Sequence, residues 1–211
     1  MNLFIFDLDG TLIDSKQDLA NSVNATRAFA GLDPLSNEIV SSYVGSGAPV
    51  LIQRAFPGAS EAERDRLLRY FLDYYREHML DSTTLYPGVR EMLERLHTAD
   101  AALAVLTNKP VRFSVRLLEG LGIDLLFFRI YGGNSFEEKK PSPVGINALV
   151  SESGAARERT IMVGDSAVDI MTARNAGVVA CGVSWGFQPE TFASAPPDFV
   201  IEDPRDLLER V

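Results

Sequence analysis

The sequence predicts an α/β fold in which helices cover a mainly parallel sheet and an all-helical insertion follows the first strand. Two observations support this prediction. Short, continuously apolar runs alternate with segments of helical periodicity, which is typical of strands buried between helices on both faces of a parallel sheet. Between residues 15 and 83 the alternation stops and only helical patterns are found. The chain has 211 residues, enough for one large domain that carries such an insertion.

The predicted sheet consists of five short apolar segments. The first covers residues 3–6 and ends at the polar turn Asp7-Leu8-Asp9-Gly10. Helical spacing between the later runs predicts the helices that connect parallel strands. The predicted strands are residues 3–6, 101–106, 160–163, 178–183 and 199–201, and the predicted core helices lie at about 88–98, 111–120, 142–152, 166–176 and 204–210.

Residues 15–83 are predicted to form a helical cap. A strong helix begins at Ser60, which stands three residues before Glu63 in the pattern of a capping box. Pro-Gly pairs at 57–58 and 87–88 indicate a turn inside the insertion and the return to the α/β pattern. We therefore expect a core formed by residues 1–14 and 84–211, and a substrate-selecting cap formed by residues 15–83.

The composition disfavours several classes of protein. Lys and Arg number 20 and Asp and Glu number 29, and the net charge of −9 argues against a nucleic-acid binder, which needs clustered basic residues. Cys181 is the only cysteine, so no disulfide framework can form within the chain. No apolar run approaches the roughly 20 residues of a membrane-spanning helix, and the first residues lack a signal-peptide pattern. We expect a cytoplasmic protein that binds neither nucleic acid nor a membrane.

The residues with catalytic potential cluster just beyond the predicted strands. Ligands of an open parallel sheet bind at the carboxyl ends of its strands, so side chains that follow different strands meet at one rim. The candidates are Asp7 and Asp9 after the first strand, Thr107 and Asn108 after the second, Lys140 before the third, and Asp165 and Asp169 after it.

The aspartates of this rim suit a magnesium site. Carboxylates that lie close together repel one another, and a hard divalent cation lets them stay ionised. Mg²⁺ usually binds one or two carboxylates together with waters and a substrate phosphate. We expect Mg²⁺ on Asp7, Asp165 and the backbone carbonyl of Asp9, with Asp169 bracing either Lys140 or a metal-bound water.

The same rim suits phosphoryl transfer. A carboxylate can accept the phosphoryl group as an aspartyl phosphate, and Asp9 would protonate the leaving alkoxide and later activate water. Thr107 and Asn108 would donate hydrogen bonds to the phosphoryl oxygens, and Lys140 would neutralise their charge. Each segment taken alone is better explained as a turn or a helix cap, and their ordered occurrence is what favours catalysis. A phosphate-binding protein without activity is the alternative.

Together these segments resemble the haloacid dehalogenase superfamily of phosphohydrolases over almost the whole chain. The resemblance implies a Rossmann-like core, Mg²⁺, Asp7 as nucleophile and Asp9 as general acid and base. Dehalogenases of the superfamily lack the second aspartate of the first motif, so Asp9 favours a phosphatase. The similar segments are Asp7-Leu8-Asp9-Gly10-Thr11 for the first motif, Thr107 for the second, Lys140 for the third and Gly164-Asp165-Ser166-Ala167-Val168-Asp169 for the fourth.

Within the superfamily, residues 43–48, 106–110, 131–133 and 139–143 are similar to phosphoglycolate phosphatases. This similarity implies 2-phosphoglycolate as the substrate. In the cap, Gly45, Ser46 and Gly47 would bring backbone N–H groups close to a small carboxylate or phosphate, although a plain helix–helix turn is the other interpretation. Pyrophosphatases, sugar-phosphate phosphatases and phosphomutases are the alternatives. We expect a small phosphorylated metabolite as ligand, and a monomer or homodimer.

Overall fold

A computed structural model of the chain describes residues 1–210. Short 3₁₀ helices at Asp124–Leu126, Arg157–Arg159, Pro189–Ala193 and Pro204–Arg210 join or follow the main elements. The main elements are β1 (Leu3–Phe6), β2 (Ile13–Asp14), α1 (Lys16–Phe29), α2 (Asn37–Tyr43), α3 (Ala48–Ala55), α4 (Glu61–His78), β3 (Thr84–Leu85), α5 (Val89–Thr98), β4 (Ala102–Leu106), α6 (Val111–Gly120), β5 (Arg129–Tyr131), α7 (Val144–Ser153), β6 (Thr160–Gly164), α8 (Ala167–Ala176), β7 (Val179–Val183) and β8 (Phe199–Ile201).

Six strands form one parallel sheet in the order β5-β4-β1-β6-β7-β8. Numbered along these six strands alone, this is the 3-2-1-4-5-6 order of the Rossmann fold. The predicted Rossmann-like α/β core is therefore confirmed. β1 lies between β4 and β6, where the strand order reverses. The carboxyl ends of these three strands form the crevice in which such folds bind their ligands.

Both faces of the central strand are buried, which explains its continuous apolar sequence. Phe4 and Phe6 belong to a large hydrophobic cluster that extends into the cap, whereas Leu3 and Ile5 pack in a second cluster with residues of α7 and α8. Alternate side chains of a strand point to opposite faces of its sheet, so each face of β1 requires apolar residues.

The structure contains three short strands that the sequence analysis did not predict. β5 extends the sheet beyond β4 and is only partly buried, so it has no continuous apolar run. β2 and β3 pair antiparallel where the chain leaves the core and returns to it. Two-residue strands are too short for a hydrophobic period. The helix expected at 204–210 is a 3₁₀ helix.

Helices α1–α4 form the all-helical cap that the sequence predicted after the first strand. α4 begins with the predicted capping box, in which Ser60 and Glu63 each bond the backbone N–H of the other. The buried carboxylate of Asp18 in α1 accepts hydrogen bonds from Ser82 and Thr83, which follow α4. This contact joins the two ends of the cap. Among residues 1–210, no helix combines the length and apolar composition needed to cross a bilayer.

Candidate active site

The strand-end segments meet at one buried site. The backbone N–H of Asp7 donates to the carbonyl of Val163 at 2.9 Å, which carries the pairing of β1 and β6 beyond the last residue of β1. The polar residues around this point are at most 9% exposed. They include all seven residues predicted from the sequence and one that was not: Asp7, Asp9, Thr107, Asn108, Lys109, Lys140, Asp165 and Asp169.

Lys140 lies between two aspartates. Its Nζ is 2.7 Å from Asp7 Oδ1 and 2.6 Å from Asp169 Oδ1. The other oxygen of Asp169 accepts hydrogen bonds from the backbone N–H and the hydroxyl of Ser166, which caps α8. Burial disfavours the charged ammonium, but Asp169 and Asp7 outweigh it and raise the pKa of Lys140. Of the two roles expected for Asp169, the structure places it in contact with Lys140.

Asp7, Asp165 and Asp169 each offer one carboxylate oxygen within 4.8 Å of the others. Burial raises the pKa of Asp7 to about 6, although Lys140 opposes the shift. Burial, with Asp169 and Asp7 nearby, also raises the pKa of Asp165 well above its usual range. Carboxylates with raised pKa values are the groups that a divalent cation stabilises in the ionised form. A buried set of hard oxygen donors therefore fits a metal ion.

Gly10 allows the first loop to lie against Asp165. Its φ is +84°, and a Cβ at this position would lie 2.2 Å from Asp165 Oδ2. The same oxygen accepts a hydrogen bond of 2.6 Å from the backbone N–H of Phe187. The positive φ and the close approach both exclude a side chain at position 10. Glycine there allows Asp165 to lie against the turn that follows β1.

Asp9 is held by two donors that come from different parts of the chain. The hydroxyl of Ser15 donates to Oδ1 at 2.6 Å, and Lys109 Nζ lies 2.9 Å from both carboxylate oxygens. Burial lowers the pKa of Lys109, but Asp9 outweighs this and raises it. The sequence analysis assigned Lys109 no role. Its position directly after Thr107 and Asn108 was the available signal.

Thr107 and Asn108 make different contacts. The hydroxyl of Thr107 accepts a hydrogen bond from the backbone N–H of Lys109 at 3.3 Å and keeps its own proton for another acceptor. The Asn108 amide donates to the carbonyls of Gly45 and Lys140, and its oxygen accepts from the Lys140 backbone N–H. Here Asn108 joins the cap to the Lys140 segment, so its side chain has no hydrogen left for a phosphoryl oxygen.

The predicted cap loop lies over the site. Gly45 and Gly47 have φ values of +102° and +90°, and Gly47 is the N-cap of α3. Both residues line a cavity of about 50 Å³ between cap and core, whereas Ser46 is not among its lining residues. The cavity also reaches Asp7, Asp9 and Thr107.

A second core side chain holds this loop. Gln188 follows β7, and its Nε2 donates to the carbonyls of Ser41 and Val44 at 3.1 and 2.8 Å. Its neighbour Phe187 is the residue that donates to Asp165. The segment after β7 therefore contacts both the carboxylate cluster and the cap.

Comparisons with known proteins identify the family and support the fold. A family model described as haloacid dehalogenase-like hydrolase matches residues 4–183. A phosphoglycolate phosphatase of Vibrio parahaemolyticus is 40% identical over 219 aligned positions, which span 100% of this chain and 96% of that protein. One from Agrobacterium fabrum is 42% identical over 205 positions, 95% of this chain and 88% of that protein. The crystal structure of a predicted phosphoglycolate phosphatase from Haemophilus somnus superposes with a TM-score of 0.94 and 36% identity, covering 99% of this chain and 97% of that one.

Proposed function

The chain belongs to the haloacid dehalogenase-like hydrolase family, and on that premise we propose that it is a Mg²⁺-dependent phosphatase that hydrolyses 2-phosphoglycolate to glycolate and phosphate. Its membership confirms the prediction of a hydrolase of this superfamily. The observation that carries the proposal is the buried Asp7–Lys140–Asp169 ion-pair chain with Asp165 beside it. No simple structural role requires so many buried charges.

Asp7, Asp165 and the backbone carbonyl of Asp9 would hold Mg²⁺. When bound, the ion supplies positive charge that offsets the carboxylates and the phosphoryl oxygens. Asp169 contacts Lys140 and Ser166, so it orients the ammonium rather than binding substrate. Lys140 in turn positions the Asp7 carboxylate and stabilises the negative charge of the phosphoryl group.

In the first step a carboxylate oxygen of Asp7 forms a bond to phosphorus while the bond from phosphorus to the leaving alkoxide oxygen breaks. Asp9 gives its proton to that oxygen. In the second step the water oxygen forms a bond to phosphorus while the bond between the Asp7 oxygen and phosphorus breaks; Asp9 takes the water proton, and phosphate leaves. The Thr107 hydroxyl donates to a phosphoryl oxygen in both steps. Ser15 and Lys109 orient the carboxylate of Asp9.

The choice of substrate rests on the names of the relatives and on the small cavity under the cap. The cavity of about 50 Å³ suits a substrate whose part beyond the phosphoryl group is small. In this proposal residues 15–83 form the cap that selects the substrate, and residues 1–14 and 84–211 form the catalytic core. We also propose that the protein is cytoplasmic, that it is a monomer or homodimer, and that its ligand is a small phosphorylated metabolite.

The test is release of inorganic phosphate from 2-phosphoglycolate, with and without Mg²⁺, in the wild type and in Asp7→Asn. We expect release that requires Mg²⁺ and is abolished in the variant. Asp9→Asn should lower kcat by about 10²- to 10⁴-fold, since it removes the proton donor. Release without a divalent cation, or full activity in Asp7→Asn, would show that the assignment is wrong. The matched control is Asp73→Asn, because Asp73 lies exposed on the cap beside Arg76.

A further inference from the structure

We propose that Lys109 and Tyr75 bind the carboxylate of the substrate, so that the enzyme selects phosphomonoesters whose leaving group carries its own negative charge. This inference rests on the proposed function, because it assigns specificity within the same site. Lys109 comes from the core directly after β4, and Tyr75 comes from the cap helix α4. Recognition would therefore require the cap and the core together.

The two side chains share the cavity beneath the cap loop. Its core side includes Asp7, where phosphoryl transfer is proposed, and its cap side includes apolar residues such as Leu51 and Phe71. Among the described residues that line this cavity, Lys109 alone carries a positive charge. A substrate whose phosphoryl group lies at Asp7 would place its leaving group in this space. A carboxylate among apolar walls needs a cation or several hydrogen-bond donors.

Both groups have the capacity to bind a ligand. Lys109 Nζ contacts the two oxygens of Asp9 and lies 4.5 Å from the centroid of the Tyr75 ring. An ammonium has three N–H donors, so two contacts with Asp9 leave one. Tyr75 is 2% exposed, and its buried hydroxyl lies beside Lys109 with no acceptor for its own proton. A buried O–H without an acceptor is unfavourable, and a carboxylate in the cavity would accept its hydrogen bond.

The charges of the site point to the same role. Asp7, Asp165 and Asp169 contribute three negative charges, which Lys140 and one divalent cation would balance, and the proton that Asp9 holds for the leaving group leaves the charge of Lys109 uncompensated. The site would then be neutral toward the phosphoryl group. A second negative charge on the substrate would lie on the cap side, and there Lys109 is the available cation. Local positive charge of this kind decides binding even in a protein of net charge −9.

The experiment compares 2-phosphoglycolate with 2-hydroxyethyl phosphate, in which an alcohol replaces the carboxylate. The measured quantity is the ratio of the two kcat/KM values, with Mg²⁺ present, in the wild type, Lys109→Met and Tyr75→Phe. We expect the wild type to prefer phosphoglycolate and each variant to lose about 10- to 100-fold of that preference, as for hydrogen bonds to charged groups. The loss should fall mainly on KM for phosphoglycolate.

Lys139→Met is the matched control, because Lys139 is an exposed lysine at the same rim. It should leave the ratio unchanged if specificity comes from direct contact rather than from overall charge. Lys109 also touches Asp9, so its replacement will slow both reactions. The ratio removes this shared effect. If Lys109→Met is too slow to assay, calorimetry measures how both phosphomonoesters bind to Asp7→Asn, with and without Lys109→Met. The ratio of the two dissociation constants then takes the place of the ratio of kcat/KM values.

An equal loss for both substrates would overturn the inference and leave Lys109 as a residue that only positions Asp9. An unchanged ratio in Tyr75→Phe would remove Tyr75 from the site. Neither result affects the proposed phosphatase activity. The phosphatase activity itself would be contradicted if the wild type released phosphate from neither compound with Mg²⁺ present.

Discussion

Replacing Asp7 by asparagine should stabilise the metal-free protein at neutral pH while it abolishes catalysis. Burial raises the pKa of Asp7 from 3.8 to about 6. Between these values the folded protein holds a proton that the unfolded chain releases, so the free energy of unfolding falls as the pH rises. At roughly 1.4 kcal/mol per pKa unit, the ionised carboxylate costs the metal-free fold about 3 kcal/mol above pH 6. Asparagine keeps the shape without the charge.

The assay is urea unfolding of the wild type and Asp7→Asn in EDTA at pH 5 and pH 7.5. At pH 7.5 we expect the variant to have the higher free energy of unfolding, by up to about 3 kcal/mol. At pH 5 the wild-type carboxyl is mostly protonated in the fold, and the difference should fall to about half. Mg²⁺ should stabilise the wild type at pH 7.5 more than at pH 5, because protons compete for Asp7, and should have little effect on the variant.

The control is Asp73→Asn, whose side chain is 69% exposed and pairs with Arg76 on the surface. Its effect should stay below about 1 kcal/mol at both pH values. If Asp7→Asn is less stable than the wild type in EDTA at pH 7.5, the buried carboxylate is not unfavourable in the fold. The reasoning that its raised pKa indicates a cation site would then be refuted.

Three further substitutions test other parts of the site and the cap. Gly10→Ala should abolish both stabilisation by Mg²⁺ and activity, because φ is +84° and the new Cβ would lie 2.2 Å from Asp165 Oδ2. Thermal unfolding with and without Mg²⁺ measures the stabilisation, and phosphate release measures the activity. Gln188→Ala removes two hydrogen bonds to the cap loop, including that to Val44, and should raise KM for 2-phosphoglycolate by up to about 10-fold with a smaller change in kcat. Asp18→Ala removes the buried carboxylate that joins both ends of the cap and should lower the free energy of unfolding by about 2–4 kcal/mol in urea.

Much of the fold could be predicted because its signals are local. Burial of β1 on both faces requires four consecutive apolar residues, and Ser60 with Glu63 is a capping pattern within a single turn. The polar residues of the site were also predictable as a set, since parallel strands bring their carboxyl ends to one edge. The edge strand β5 was missed because its partly exposed residues lack the apolar run.

The roles of neighbouring residues depend on contacts between distant segments, which a local pattern does not contain. Lys109 and Lys139 are both lysines beside polar residues, yet Lys109 is buried against Asp9, a hundred positions away, and Lys139 is exposed. Asn108 has the residue type of a phosphoryl donor, but its amide is taken up by Gly45 and Lys140.

The order of residue types along the chain was therefore enough to predict the α/β core, the helical cap and the set of rim carboxylates. Local sequence determines strand and helix periodicity and places these side chains at strand ends. Packing within the core decided which ammonium meets which carboxylate. Packing of the cap on the core decided that Gln188 holds the cap loop and that the Tyr75 hydroxyl is buried beside Lys109. These contacts join segments far apart in sequence, and their energies depend on burial that exists only once the chain has folded.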